Sequence, residues 1–189
     1  MSKSCADVRW DVIAVVSCIV ALLGGCCYTV MPKNISLDSV SKTGSLTGVS
    51  LFVISAEKDS TDYAIPTETG GISALRANRQ TWSTMLVEVL ASELAKRGAR
   101  VSTKAPLAIS LTIPEIIFAQ NKDIFQLSVK ILVFSSSGWQ KNYRGVTESG
   151  AESFESVSTM VNRLAGQALA EAVKAMLGDP DFLAQVRGK

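Results

Sequence analysis

The cysteines of this sequence are the residues whose positions indicate a chemical role, such as a disulfide, a metal site or a covalent modification. The chain of 189 residues contains Cys5, Cys18, Cys26 and Cys27 and has no further cysteine from Tyr28 onward. That later part therefore has neither a disulfide framework nor a zinc–cysteine site. The sequence also has no histidine, which removes the commonest general base and the commonest metal ligand. The residues with recognisable chemistry thus lie near the amino terminus.

Cys26 follows a segment with the features of a cleavable export signal. Residues 12–23 are an apolar run of the length expected for the core of a signal peptide, and Lys3 and Arg9 precede it. The next residues, Leu23-Gly24-Gly25-Cys26, resemble the lipobox of bacterial lipoproteins, in which a branched apolar residue and two small residues precede the cysteine that receives lipid. The resemblance implies a signal peptide over residues 1–25 and lipidation of Cys26.

A membrane-spanning helix is the alternative for the same region. Residues 12–31 form an uncharged run of 20 residues, which is long enough to cross a bilayer. Gly24 and Gly25 weaken a helix at its middle, which favours cleavage. The lipoprotein resemblance places the protein on the periplasmic face of the outer membrane, because Cys27 stands where an inner-membrane retention signal has aspartate. The uncleaved helix would place it in the inner membrane.

Composition and motifs exclude several functional classes. The chain has 19 Lys and Arg against 17 Asp and Glu, and the net charge stays at +2 without residues 1–25. The basic residues are scattered, so we expect no nucleic-acid surface. The sequence shows no P-loop, dinucleotide fingerprint, nucleophile elbow or metal-ligand spacing. We therefore expect no enzyme, with no catalytic, cofactor-binding or metal-binding residues.

The pattern from residue 48 onward predicts one folded domain, residues 48–189. Residues 28–47 are polar without periodicity, so residues 26–47 are expected to be a lipidated, loosely structured tether. Strands are predicted at Gly48–Ala56, at residues 107–119, at 124–134 and at 139–148, because apolar and polar side chains alternate there or β-branched residues dominate. Pro114 predicts an edge or a bulge, because it has no amide to donate.

Two helices complete the predicted domain. Apolar residues at helical spacing predict a helix over residues 81–98, capped by Thr81 and closed by Gly98. A second apolar stripe runs from Val157 to Leu177, and Asp179 can cap a short helix after it. The order β-α-β-β-β-α predicts an α+β two-layer sandwich. We expect a mainly antiparallel four-stranded sheet with both helices on one face.

These features together resemble the YajG-like bacterial lipoproteins. The resemblance spans roughly residues 22–187. It rests on the lipobox ending at Cys26, the helix "TWSTMLVEVLASELAKRG", the "KNYRG" strand at Lys141–Gly145 and the long carboxy-terminal helix. It implies a small lipoprotein without a settled biochemical role, and it offers no catalytic residues to transfer.

The function expected from the sequence is a non-catalytic binding or assembly role in the cell envelope. The membrane, through the lipid anchor, and an envelope protein or lipid are the expected partners. An exposed sheet face or sheet edge would be the contact surface. Two alternatives stay open: an auxiliary lipoprotein of a lipid or polysaccharide transport system, and a small hydrolase that uses carboxylates.

Overall fold

The computed structural model describes residues 27–37, 45–67, 75–150 and 156–188. These residues form eight strands and three helices. The strands are β1 (Tyr28–Val30), β2 (Ser50–Ser55), β3 (Asp62–Ala64), β4 (Leu75–Asn78), β5 (Arg100–Val101), β6 (Leu107–Asn121), β7 (Ile124–Ser135) and β8 (Gln140–Gly150). The helices are α1 (Arg79–Lys96), α2 (Val157–Gly178) and α3 (Pro180–Val186). The α+β class expected from the sequence is confirmed.

The main sheet has five strands in the order β5-β2-β6-β7-β8. The three long strands β6, β7 and β8 are antiparallel neighbours, whereas β2 runs parallel to both β5 and β6. The chain passes through α1 between β2 and β6, and a parallel pair needs a crossover of that kind. The predicted four-stranded, mainly antiparallel sheet was therefore wrong in two respects: it omitted β5, and the sheet is mixed.

Pro114 lies at an irregularity of β6, as its missing amide predicts. The register between β6 and β7 shifts between Thr112 and Glu115. Ile113 and Ile116 on either side of Pro114 are both buried, so the bulge lets the strand resume its inward-facing pattern.

A second sheet has three short strands in the order β1-β4-β3. Tyr28 pairs with Leu75 in the parallel β1–β4 ladder, and Tyr63 pairs with Ala77 in the antiparallel β3–β4 ladder. Val30, Leu75 and Ala77 are buried in the same core as the main sheet. This sheet was not expected from the sequence.

Both long helices pack on one face of the main sheet, as predicted. The inward side chains of β2, β6 and β7 are aliphatic or aromatic and meet α1 and α2 in a single core. Gly145 of β8 lets α2 approach closely, since a Cβ at that position would lie 1.8 Å from the carbonyl oxygen of Ala168. The small residues of α2 and Gly145 thus bring the helix backbone against the sheet.

Two of the three predicted helix ends agree with the structure. Asp179 caps α3 by accepting the Asp181 amide at 3.1 Å, and Gly98 ends α1 at a φ of 96°, as predicted. The predicted cap of α1 was wrong by three residues. Asn78 caps the helix by accepting the Thr81 amide at 2.9 Å, because β4 delivers the chain to α1 at Asn78.

Candidate functional site

Cys26, the predicted lipidation site, lies outside the residues that the structure describes. The first described residue is Cys27, whose thiol is free and exposed. Tyr28, the next residue, is the first residue of β1. The chain therefore enters the fold two residues after Cys26.

β1 is held by buried contacts on both sides. Val30 is fully buried, and its carbonyl accepts the indole N–H of Trp82 at 2.9 Å. Trp82 is itself fully buried in α1, so its N–H needs an acceptor inside the protein. The strand therefore satisfies a polar group of the core as well as adding apolar surface to it.

Residues 31–37, which we call the strap, continue from β1 across α2. The amide of Met31 donates to Oδ1 of Asn162 at 2.8 Å, and the amide of Lys33 donates to the Asn162 carbonyl at 3.0 Å. Nδ2 of Asn162 donates to the Tyr28 hydroxyl at 2.6 Å. Asn162 is buried despite its polarity, because it binds β1 and the strap.

Gly166 gives the strap its room on α2. A Cβ at Gly166 would lie 1.7 Å from the carbonyl oxygen of Lys33. Further along the strap, Ile35 and Leu37 pack against the core beside α1. The loose tether expected over residues 26–47 is therefore wrong for residues 28–37, and also for residues 45–47, because Leu46 is fully buried and its amide donates to the Arg97 carbonyl at 2.8 Å. Residues 38–44 lie outside the described residues.

The start of β1, the amino end of α2 and the β6–β7 turn lie at one end of the molecule. The Tyr28 hydroxyl donates to the Ser158 carbonyl at 3.4 Å. One turn further along α2, Arg163 donates to the Ser149 hydroxyl at 3.1 Å, and the adjacent Gly150 pairs with Ile124. We call this the anchor end and define it by Tyr28, residues 122–124, Gly150 and residues 156–158.

The opposite end of α2 carries a cluster of charged and hydroxyl groups. Lys141 forms ion pairs at 2.8 Å with both Asp179 and Asp181, and the Tyr143 hydroxyl donates to Asp179. The hydrogen bonds to the two aspartates raise the pKa of Lys141, and burial followed by the bond to Asp179 raises that of Tyr143. Burial raises the pKa of Asp179, but the bonds from Lys141, Tyr143 and the Asp181 amide outweigh it and hold that pKa below 3.8.

This far-end cluster explains the "KNYRG" segment of β8. Lys141 and Tyr143 bind the junction of α2 and α3, and Gly145 admits α2. Arg144 points to the other side of the sheet and donates to the Ser128 hydroxyl at 2.9 and 3.1 Å. Each of these residues therefore has a structural role in joining β8 to its neighbours.

The face of the main sheet opposite the helices, which we call the open face, has an apolar half and a polar half. The apolar half contains Phe52 and Ile54 of β2 and Leu132 and Phe134 of β7, with Ser110 and Thr112 of β6 between the two pairs, and Ile54 is 40% exposed. The polar half lies toward the anchor end and also contains the exposed Val146; its polar members are Gln126, Ser128, Lys130, Arg144 and Glu148. Such a surface offers apolar contact beside hydrogen-bonding groups.

An open polar groove of about 780 Å³ lies between the strap, the end of β8 and α2. Gln167 accepts from Thr147 at 3.2 Å and from Arg163 at 3.3 Å, and Lys174 pairs with Glu171 at 2.8 Å. The polar side chains of the groove therefore bind one another. Within residues 27–37, 45–67, 75–150 and 156–188, no group of acidic and cysteine side chains has the arrangement of a metal site.

The same residues include no helix that is both long enough and apolar enough to cross a bilayer. The alternatives for residues 12–31, a cleaved signal or a spanning helix, fall mainly outside the described part of the chain.

Comparisons with known proteins show likeness of fold. No family model and no curated protein matches the chain. Among solved structures, a DUF330 protein from Xanthomonas campestris has a TM-score of 0.52 at 10% identity, over 86% of this chain and 95% of that one. This likeness confirms the α+β fold and extends to the fold alone at such an identity.

Two further structures match with lower scores. A protein from Caulobacter crescentus assigned as a lipoprotein has a TM-score of 0.37 at 18% identity, over 56% of this chain and 83% of that one. Lipoprotein GNA1162 from Neisseria meningitidis has a TM-score of 0.31 at 13% identity, over 60% and 90% respectively. The resemblance to the YajG-like lipoproteins stays a prediction.

Proposed function

We propose that this protein is a lipid-anchored domain of the bacterial cell envelope that binds an envelope partner without catalysing a reaction. Cys26 carries the lipid, the outer membrane holds it, and the domain faces the periplasm. The observation that carries the proposal is the sequence Leu23-Gly24-Gly25-Cys26, followed within two residues by a strand of the folded domain. Two or more acyl chains on one cysteine make membrane attachment effectively permanent.

The surface proposed for the partner is the apolar half of the open face. Phe52, Leu132 and Phe134 are half-buried and Ile54 is exposed on one side of the main sheet. Aromatic and aliphatic groups of this kind, bordered by polar residues, are typical of protein contact surfaces. The apolar half lies toward the far end of the sheet, so a partner could reach it while the anchor end stays near the membrane.

The charges support a binding role over carboxylate catalysis. The hydroxyl and the amide of Thr61 donate to Asp59 and lower its pKa, and the pKa of Asp179 is also lowered. A general acid at neutral pH needs a carboxyl whose pKa is raised. Both shifts are therefore opposite in direction to the one that a general-acid carboxyl needs.

The anchor is tested by replacing Cys26 in the full-length chain expressed in a Gram-negative host. Cys26→Ala should abolish incorporation of labelled palmitate and leave the unprocessed precursor, because the acyl acceptor is gone. Cys27→Ala is the matched control and should be labelled and cleaved like the parent. Unchanged labelling and size in Cys26→Ala would contradict the proposal and favour the uncleaved helix.

The partner surface is tested by photo-crosslinking in intact cells. A photoreactive residue in place of Ile54 should capture a defined envelope protein or lipid, identified by mass spectrometry. The control position is Thr84, which is exposed on α1 at the helix side of the sheet. Equal capture at both positions, or capture at Thr84 alone, would contradict the open face as the binding surface.

A further inference from the structure

Two large aliphatic side chains are exposed at the anchor end, Ile124 on the sheet and Val157 on α2. Ile124 and Val157 are each 49% exposed. Ile124 begins β7 beside the turn at residues 122–123, and Val157 is the first residue of α2. They share one end because α2 runs antiparallel to β8, whose last residue, Gly150, pairs with Ile124.

The length of chain between the lipid and the fold determines which end meets the membrane. An extended chain spans about 3.5 Å per residue, so Tyr28 starts within about 7 Å of Cys26. The Tyr28 hydroxyl is bonded to Ser158 and Asn162, which fixes this strand to the amino end of α2. If Cys26 is lipidated, as the proposed function holds, the anchor end is kept at the bilayer surface.

We propose that the anchor end is a lipid-contact surface, in which Ile124 and Val157 enter the interfacial layer of the bilayer. This inference rests on the proposed lipidation of Cys26. Apolar side chains of peripheral proteins reach about 5–10 Å into the boundary between headgroups and acyl chains. At the β6–β7 turn, the long aliphatic stem of Lys122 can lie along that boundary with its ammonium group at the headgroups.

The bilayer fits this end better than a protein partner does. The chain allows about 7 Å between Tyr28 and the lipidated residue, whereas a helix with its side chains is about 10–12 Å across. A folded partner would therefore not fit between the anchor end and the lipid. The surface that remains open to proteins is on the sides of the domain.

The test places a fluorescent probe at Ile124 and, as a matched control, at Ile54. Both are isoleucines of similar exposure, at 49% and 40%, and both lie on the same face of the main sheet, but Ile54 pairs with Ser110 toward the far end whereas Ile124 pairs with Gly150 at the anchor end. The full-length chain with Cys27→Ser receives either Ile124→Cys or Ile54→Cys, is purified from a Gram-negative host and is labelled with an environment-sensitive dye. It is then reconstituted into vesicles of phosphatidylethanolamine and phosphatidylglycerol, with and without brominated lipid.

The expected result is a blue shift of the dye at position 124 and loss of its fluorescence with brominated lipid, with neither change at position 54. Equal behaviour of the two probes in acylated protein would overturn the lipid-contact surface and leave the proposed function standing. The intact mass of each sample reports the acyl chains. Absence of the acyl mass would overturn the proposed function and the inference with it. Matching thermal melts of the labelled variants show that each is folded.

Discussion

At the carboxyl end of α2, Lys141, Tyr143 and Asp179 bind one another, whereas at its amino end Ile124 and Val157 leave about half of their surface to solvent. The two ends are about 33 Å apart, because α2 has 22 residues. The far end is closed by bonds within the domain. The anchor end presents exposed apolar groups where the chain arrives from Cys26, and the proposed contact with the bilayer would cover them.

The comparison also separates two ways of attaching a chain to a fold. At the far end, α3 is joined to β8 by the fully buried ring of Phe182, which contacts Tyr143, and by the ion pairs of Lys141 with Asp179 and Asp181. At the anchor end, β1 and the strap are attached through buried groups, namely Val30, Trp82 and Asn162. Separation of the strap from α2 should therefore cost more stability than loss of the far-end ion pairs.

The largest effect is expected from Gly166→Val. The new side chain would meet the Lys33 carbonyl, so α2 and the strap must separate, and we expect a loss of about 3 kcal/mol in the free energy of unfolding. Gly178→Val is the control, because a Cβ there meets no atom within 4 Å, and it should change stability by less than about 0.5 kcal/mol. Urea melts measure both. Equal values would mean that the strap does not lie on α2.

A smaller effect, with a pH dependence, is expected from Asp179→Asn. Asparagine keeps the helix cap but loses the charge that binds Lys141 and Tyr143, so we expect about 2 kcal/mol of destabilisation at neutral pH. The pKa of Asp179 is lower in the folded protein than its ordinary value of 3.8. Its contribution to the free energy of unfolding is therefore fully present above pH 3.8, and it is lost as the pH falls through the folded-state pKa.

Urea melts over a range of pH check the sign of this contribution. The difference between the parent and Asp179→Asn should shrink as the pH falls below about 3.8. Asp123→Asn, in the exposed β6–β7 turn, is the control and should leave stability nearly unchanged at neutral pH. A difference that grows in acid would show that the far-end cluster does not stabilise the folded state through ionised Asp179.

The smallest of the three effects is expected from Tyr28→Phe. The change removes the hydroxyl that donates to Ser158 and accepts from Asn162, but it keeps the ring, so we expect a loss of about 1 kcal/mol. Tyr63→Phe, on the neighbouring short strand β3, serves as the control. If the two variants melt at the same urea concentration as the parent, the hydroxyl does not fix β1 to α2.

The long elements could be predicted from the sequence because their patterns repeat over many residues. Leu127, Val129 and Ile131 alternate inward along β7, and Leu164 and Leu169 on α2 are fully buried, as their spacing predicts. The prediction was wrong at the start of the same stripe, because Val157 was expected to be buried and is exposed. The first turn of a helix projects beyond the sheet, so periodicity alone does not place it.

The short strands could not be predicted, because three or four residues carry no measurable alternation. β1 reads "YTV" and β4 reads "LRAN", and they pair across 47 positions of sequence. The burial of Asn162 likewise depends on the strap, which reaches it from more than 120 residues away. The short distance between the segment that resembles a lipobox and the fold also depends on β1, which begins at Tyr28.

Hydrogen exchange of residues 28–36 in the full-length chain tests most directly whether the fold begins two residues after Cys26, the proposed lipidation site. The amides of Met31 and Lys33 donate to Asn162, so we expect the peptide that contains them to exchange slowly, as strands of the main sheet do. Exchange of this peptide at the rate of an unstructured chain would contradict the account. Residues 28–37 would then be a tether, and the domain would be free to stand away from the membrane.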